Sequence, residues 1–203
     1  MKSERYSLSF TTGSLFHQAS VETAALFITL GNWKTVREKI ISDNLLQTRT
    51  LNTLKRVCRE IISRLKTLGP HEIDLLVRGS VQEQGYILWI AICRRYQFIA
   101  DFAVEVVREN YIGLKPDILY EDFDSFFNRK AEWHPEMDAI RPATRNKLPQ
   151  VLFKILREAG LLTSNNMIQA ALLSSRLLET ILHSNPQNIQ FFPVFDSELK
   201  WLP

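Results

Sequence analysis

The chain has 203 residues, 45% hydrophobic and 23% charged, a balance that excludes a disordered or fibrous protein and fits one or two globular domains. Its formal net charge of +3 and sequence pI near 8.9 are too mild to name a polyanionic partner by themselves. Seven glycines and eight prolines are few for a fold with frequent turns, so long helices are expected.

At the amino terminus no apolar run follows the charges of Lys2, Glu4 and Arg5, which argues against a signal peptide. The longest apolar runs, residues 24–30 and 86–93, are far short of the ~20 residues that span a bilayer. A cytoplasmic protein with no membrane partner is expected. Thr12 or Ser14 is the expected cap of a first helix through Leu15, Phe16, Ala19, Val21, Ala24, Phe27 and Ile28, closed by Gly31. Asn32 then opens a second helix through Trp33, Val36, Ile40 and Ile41. So short a link predicts a helical hairpin.

The third predicted helix, residues 48–68, is the most regular. Leu51, Leu54, Cys58, Ile61, Leu65 and Leu68 recur at spacings of three and four, while Arg49, Asn52, Arg56, Arg59, Ser63 and Lys66 do the same on the other side. With Lys55 and Arg64 added, this segment carries six cations against Glu60 alone. Solvated helix faces normally mix signs to gain i,i+4 pairs. A cationic binding stripe is therefore set against the plainer reading of a solvated surface.

Gly69-Pro70 ends that helix and starts a short one to Gly79. Ser80 or Val81 then opens a long apolar helix, the expected core, with a break near Gln97. The elements from 48 to 96 also permit a helix-turn-helix. Gly113-Leu114-Lys115-Pro116 predicts a domain boundary, giving an N-terminal helical domain over 1–114 and a C-terminal winged-helix-like domain over 115–203. Past it, Asp117, Glu121, Asp122 and Asp124 interleave with Phe123, Phe126 and Phe127, the pattern of a solvated acidic helix face.

Residues 141–171 point most directly to function. Thr144 is the expected cap of a helix ending at Ala159, with Pro149 either kinking it or delaying its start to near Leu148. The short apolar runs 161–163 and 167–170 around Ser164-Asn165-Asn166 predict a β-hairpin wing, its tip residue at positive φ. The expected fold is thus mainly α, a multi-helix bundle with a C-terminal winged-helix-like module. Such a module places its second helix in the major groove, where Arg145, Asn146 and Lys147 meet base edges while Lys154, Arg157 and the polar wing meet phosphates, with Arg141 as a further cation of the N-terminal turn. Winged helices also serve as protein docking modules. A helix over 174–183 and an aromatic tail of Phe191, Phe192, Phe195 and Trp201 close the chain.

No enzyme signature competes. His17, His71, His134 and His183 lie on separate elements and are read as offering no HExxH and no i,i+3 or i,i+4 His/carboxylate ligand pattern, so no metal site is expected. Neither GxxxxGK[ST] nor GxGxxG occurs, and Cys58 and Cys93 sit in apolar runs as reduced core thiols. No cofactor is expected.

Three stretches carry a family resemblance: Tyr6-Ser7-Leu8-Ser9-Phe10-Thr11-Thr12-Gly13-Ser14-Leu15; Glu83-Gln84 through Cys93-Arg94-Arg95-Tyr96 with Asp101-Phe102; and Arg157-Glu158-Ala159-Gly160-Leu161-Leu162. Together they resemble the BrxA family, small components of BREX bacteriophage-defence systems. The resemblance implies a non-enzymatic component encoded beside a DNA methyltransferase, an alkaline-phosphatase-like protein and ATPases. It also implies a likeness to the RNA-binding antitermination protein NusB and a helix-turn-helix or winged DNA-binding role. No contact residues carry over from it. The expected partner is double-stranded DNA gripped mainly by its phosphates, with RNA binding or protein docking to other BREX proteins as alternatives.

Overall fold

The computed structural model describes residues 5–195. Within them lie ten α-helices: α1 (His17–Leu30), α2 (Trp33–Ser42), α3 (Leu51–Leu65), α4 (Pro70–Arg78), α5 (Val81–Arg95), α6 (Gln97–Phe102), α7 (Glu109–Ile112), α8 (Tyr120–Ala131), α9 (Pro142–Glu158) and α10 (Ser175–Ser184). A π-helical turn, Ala103–Arg108, joins α6 to α7, and 3-10 turns precede α1 and α9 and follow α10.

Helix α5 is the axis of the core. Every residue from Gly85 to Cys93 is buried, because this stretch is apolar on all sides and only a full shell of neighbours can cover it. Ser80 and Glu83 close its N-terminus reciprocally: the Glu83 N–H donates to Ser80 Oγ and the Ser80 N–H donates to Glu83 Oε2 at 2.7 Å. At Tyr96 the backbone turns extended (φ −129°, ψ 94°), which is the break expected near Gln97. Beyond it Phe98 and Phe102 meet Phe123 and Phe126 of α8 edge-on or tilted.

One continuous set of buried side chains runs from Tyr6 and Phe10 to Phe192 and Val194, with members on both sides of residues 113–116. A smaller set, Val36, Ile40, Leu54, Cys58 and Ile62, seals α2 against α3. The end of the aromatic tail is anchored, since Phe192 is fully buried against Tyr86 and the Trp89 Nε1–H donates to the Phe191 carbonyl at 2.8 Å. Trp201 lies outside the described residues.

Two local expectations are corrected. Neither Thr12 nor Ser14 caps α1; Phe16, in the left-handed region at φ 55°, holds that place with no side-chain cap. Helix α9 begins at Pro142 after Arg141 and not at Thr144, because proline at the first helical position loses no hydrogen bond and has its φ already set.

The larger correction concerns the wing. The described residues contain no β-strand, so the winged-helix module with its β-hairpin is not formed. Only isolated bridges occur, Leu162 with Ile168 and Asp117 with Met167. The chain does reverse at Asn166, whose φ is 62°. However, the returning segment divides its hydrogen bonds between two neighbours. Gln169 N–H donates to Leu161 O and Thr163 N–H to Met167 O on one side, while Ile168 N–H donates to Pro116 O and Ile118 N–H to Asn166 O on the other. Each neighbour receives a single bridge, too little for a ladder.

Candidate nucleic-acid interface

Helix α3 carries the cationic stripe. Thr50 caps it, its hydroxyl accepting the Thr53 N–H at 3.2 Å, and Leu54, Cys58, Ile61, Ile62 and Leu65 turn inward. Lys55, Arg56, Arg59 and Lys66 are exposed and fall within about 100° of the helix circumference. Arg49 is exposed one residue ahead of the cap. Among the described residues none of these five forms an ion pair. The first turn of α3 holds no acid, so the positive end of its dipole adds to the same potential.

Glu60, the one acid of the segment, is withdrawn from this face. It accepts from Arg64 Nε at 2.8 Å and from the Tyr96 hydroxyl at 2.7 Å. Burial, reinforced by that carboxylate, pushes the Tyr96 hydroxyl up to about 12. Arg64, a cation of the same segment, is only 2% exposed; its Nη1 donates to Ser14 O at 2.7 Å and its guanidinium lies over the Phe16 ring. Arg64 is therefore an internal tie between α3 and the entry to α1. Arg37 of α2, which sequence reading passed over, stands exposed and close enough to Cys58 of α3 to oppose the upward push of burial on its thiol. The signal for it is local: Trp33, Val36 and Ile40 set the inner face of α2, leaving Lys34 and Arg37 outside.

Helix α9 presents a different picture. Arg145 donates to Asp124 of α8 at 2.6 Å, and its guanidinium sits 3.8 Å from the ring centre of Phe127 and 5.2 Å from that of Phe123. Arg157 donates to the Asn166 side chain at 2.7 Å, Lys154 lies 3.7 Å from Glu158, and Lys147 reaches Gln150 at 3.3 Å. Arg141 and Asn146 stand exposed at the N-terminal turn. Of the six side chains read as one contact surface, four already have partners within the protein. The structure brings Lys55, Arg56, Arg59 and Lys66 together on one helix face and does not do the same for the α9 set.

Pro149 lies inside α9 without ending it. It is buried with Leu148, Val151, Leu152 and Phe153, so packing offsets the hydrogen bond that proline removes. The acidic block is likewise engaged: Lys115 Nζ contacts both oxygens of Asp122, at 2.6 and 2.7 Å, and Asp124 holds Arg145.

Burial raises both cysteine thiols, Cys93 most, so neither is poised as a thiolate nucleophile. Among the described residues no group of three or more His, Cys, Asp or Glu side chains could hold a metal ion, and no helix is long and apolar enough to cross a membrane.

A family model described as BrxA matches residues 4–185. A protein of Escherichia coli O9:H4 (strain HS) named BREX protein BrxA is 30% identical over 148 residues, 73% of this chain and 70% of that protein. One of the same name from Paramagnetospirillum magneticum is 26% identical over 194 residues, covering 93% of this chain and 96% of the relative. A crystal structure of an uncharacterized protein from Magnetospirillum magneticum superposes with a TM-score of 0.80 at 24% identity, over 93% of this chain and 98% of that one, and so shares the fold. The chain belongs to the BrxA family.

Proposed function

We propose that the chain is a non-enzymatic component of a BREX defence system that binds double-stranded DNA, mainly through the phosphate backbone, along α3. The name borne by its relatives supports the system, and the α3 face supports the ligand. The carrying observation is that Lys55, Arg56, Arg59 and Lys66 are exposed on one face of α3, with Arg49 exposed just ahead of its cap, and that among the described residues none of the five forms an ion pair. Desolvating a partnered cation such as Arg145 to reach a phosphate costs an existing contact; using an unpaired one does not. At 15 residues α3 is ~22 Å long, about the rise of six base-pair steps. It can lay several cations along one groove edge without displacing internal bonds.

Phosphate neutralisation of this kind is strongly salt-dependent. With a slope near −0.9 per phosphate, four or five contacts make log K fall by about 4 per decade of salt. Fluorescence anisotropy of a labelled duplex between about 50 and 200 mM salt tests this. Saturable binding that weakens on that slope is expected; absence of binding at the lower salt, or competition by single-stranded or structured RNA stronger than by duplex, overturns the assignment.

A further inference from the structure

Two helices of the chain end in the same backbone turn with different residues. After α9 the Leu161 N–H donates to Leu156 O and the Gly160 N–H to Arg157 O, with Gly160 at φ 76°. After α7 the Lys115 N–H donates to Asn110 O at 2.8 Å and the Leu114 N–H to Tyr111 O at 3.1 Å, with Leu114 at φ 58°. This helix-ending turn needs one left-handed residue, a place that suits glycine because a Cβ is crowded there. Leucine at 114 bears that strain and recovers little by packing, since its side chain is 80% exposed.

Leu114 is not alone. Leu119 and Tyr120 at the start of α8 are exposed, as is Met167. The antiparallel bridge between Asp117 and Met167 turns those two side chains to one side, because directly opposed residues face the same way, while Ile118 is fully buried. Tyr120 lies flat on Phe153, with ring centres 4.8 Å apart and planes at 5°, and its hydroxyl makes no hydrogen bond among the described residues. It is a fixed ring with an open outer face. Single exposed apolar side chains are ordinary; four on one short segment and its bridge partner, one of them strained, form a patch with a use.

The charges beside the patch narrow what covers it. Asp122 and Asp124 are held by Lys115 and Arg145, but among the described residues the carboxylates of Asp117 and Glu121 have no partner. They repel nucleic-acid phosphates and anionic lipid. A two-fold pairing of the patch with its own copy would set Asp117 and Glu121 against the same carboxylates. The complementary surface is apolar and flanked by Lys or Arg.

We propose that Leu114, Leu119, Tyr120 and Met167 form a docking surface for a basic, apolar segment of another protein. Leu114 and Tyr120 are its anchors, and Asp117 and Glu121 pair with the cations of the incoming segment. The surface shares no residue with the cationic face of α3.

The test follows the ¹⁵N-labelled full-length chain by NMR during titration with a synthetic helical peptide of about 14 residues, leucine on one face and lysine on the other. Saturable binding with a Kd below about 100 µM is expected, with shifts centred on residues 114–121 and 167. L114G should weaken binding by about tenfold while leaving Tm unchanged or higher, because glycine relieves the strain; L114M, still apolar, should bind within about twofold of wild type. D117N/E121Q should weaken binding by about fivefold and flatten its salt dependence. Lack of saturation up to about 1 mM peptide, shifts confined to other residues, or equal binding of a leucine–glutamate peptide overturns the proposal. So does a lower Tm of L114G with binding intact, which makes Leu114 structural, or self-association in sedimentation that L114G abolishes, which makes a second copy the occupant.

Discussion

Helices α3 and α9 are similar on paper. They have 15 and 17 residues, both bury one face, neither has an acid in its first turn, and each carries a run of Lys and Arg. In the folded chain they diverge. The cations Lys55, Arg56, Arg59 and Lys66 of α3 stay exposed, whereas Arg145 of α9 is drawn onto the acidic, aromatic helix α8 and Arg157 onto the Asn166 turn. A run of basic residues is a binding surface only where nothing in the fold has already neutralised it.

Within α3 the same distinction separates Arg64 from its neighbours. Arg64→Ala leaves Glu60 with a carboxylate in a mostly buried site and should cost about 3 to 5 kcal/mol, measured by urea unfolding. Lys66→Ala, two residues on and exposed, should cost under about 0.5 kcal/mol. Equal effects would erase the line drawn between internal and surface cations.

The double reversal R56E/R59E should weaken duplex binding by about 100-fold with the urea midpoint unchanged. The milder R56Q/R59Q should lower the salt slope by about 2. If R141E/K147E does the greater damage while R56E/R59E does none, α9 is the interface and the comparison is inverted.

Arg145→Ala sharpens the contrast from the other side. Loss of the Asp124 pair and the Phe127 stack should cost about 1 to 2 kcal/mol, while duplex affinity changes by less than about threefold. An affinity loss as large as that of R56E/R59E, without a stability change, would place Arg145 on the DNA.

The smallest effect provides a baseline. The Glu83 carboxyl is held below the ordinary glutamate value, first by the Ser174 hydroxyl and then by the Ser80 N–H, which links α5 to the cap of α10. A pKa lower in the folded than in the unfolded chain means that this stabilisation is fully present above the unfolded value and is lost as pH falls through the folded one. Glu83→Gln should therefore cost about 1 kcal/mol at neutral pH. The difference from wild type should close on acidification, with duplex affinity unaltered throughout.

Much of the fold is legible in the order of residues, because helix periodicity and capping are decided within a few positions. The inward face of α3 with Leu54, Cys58, Ile61 and Leu65, the apolar centre of α5, the link at Gly31-Asn32 and the break at Tyr96 all follow from such local patterns. The α3 cations belong to that class, since a stripe at helical spacing needs no distant information. Only the tertiary structure decides which charges stay free: Asp124 lies 21 residues from Arg145, and Ser14 lies 50 from Arg64. The wing failed for the same reason, as Asn166 and Ile168 exchange their hydrogen bonds with Pro116 and Ile118 and not within a hairpin alone. His71 and His183 likewise meet through the packing of α4 and α10. Sequence determined the helices, the faces they present and the local i,i+4 pairs such as Arg64 with Glu60, because those depend on neighbours in the chain; tertiary structure alone determined long-range partners such as Asp124 for Arg145 and Ser14 for Arg64, because those depend on neighbours in space.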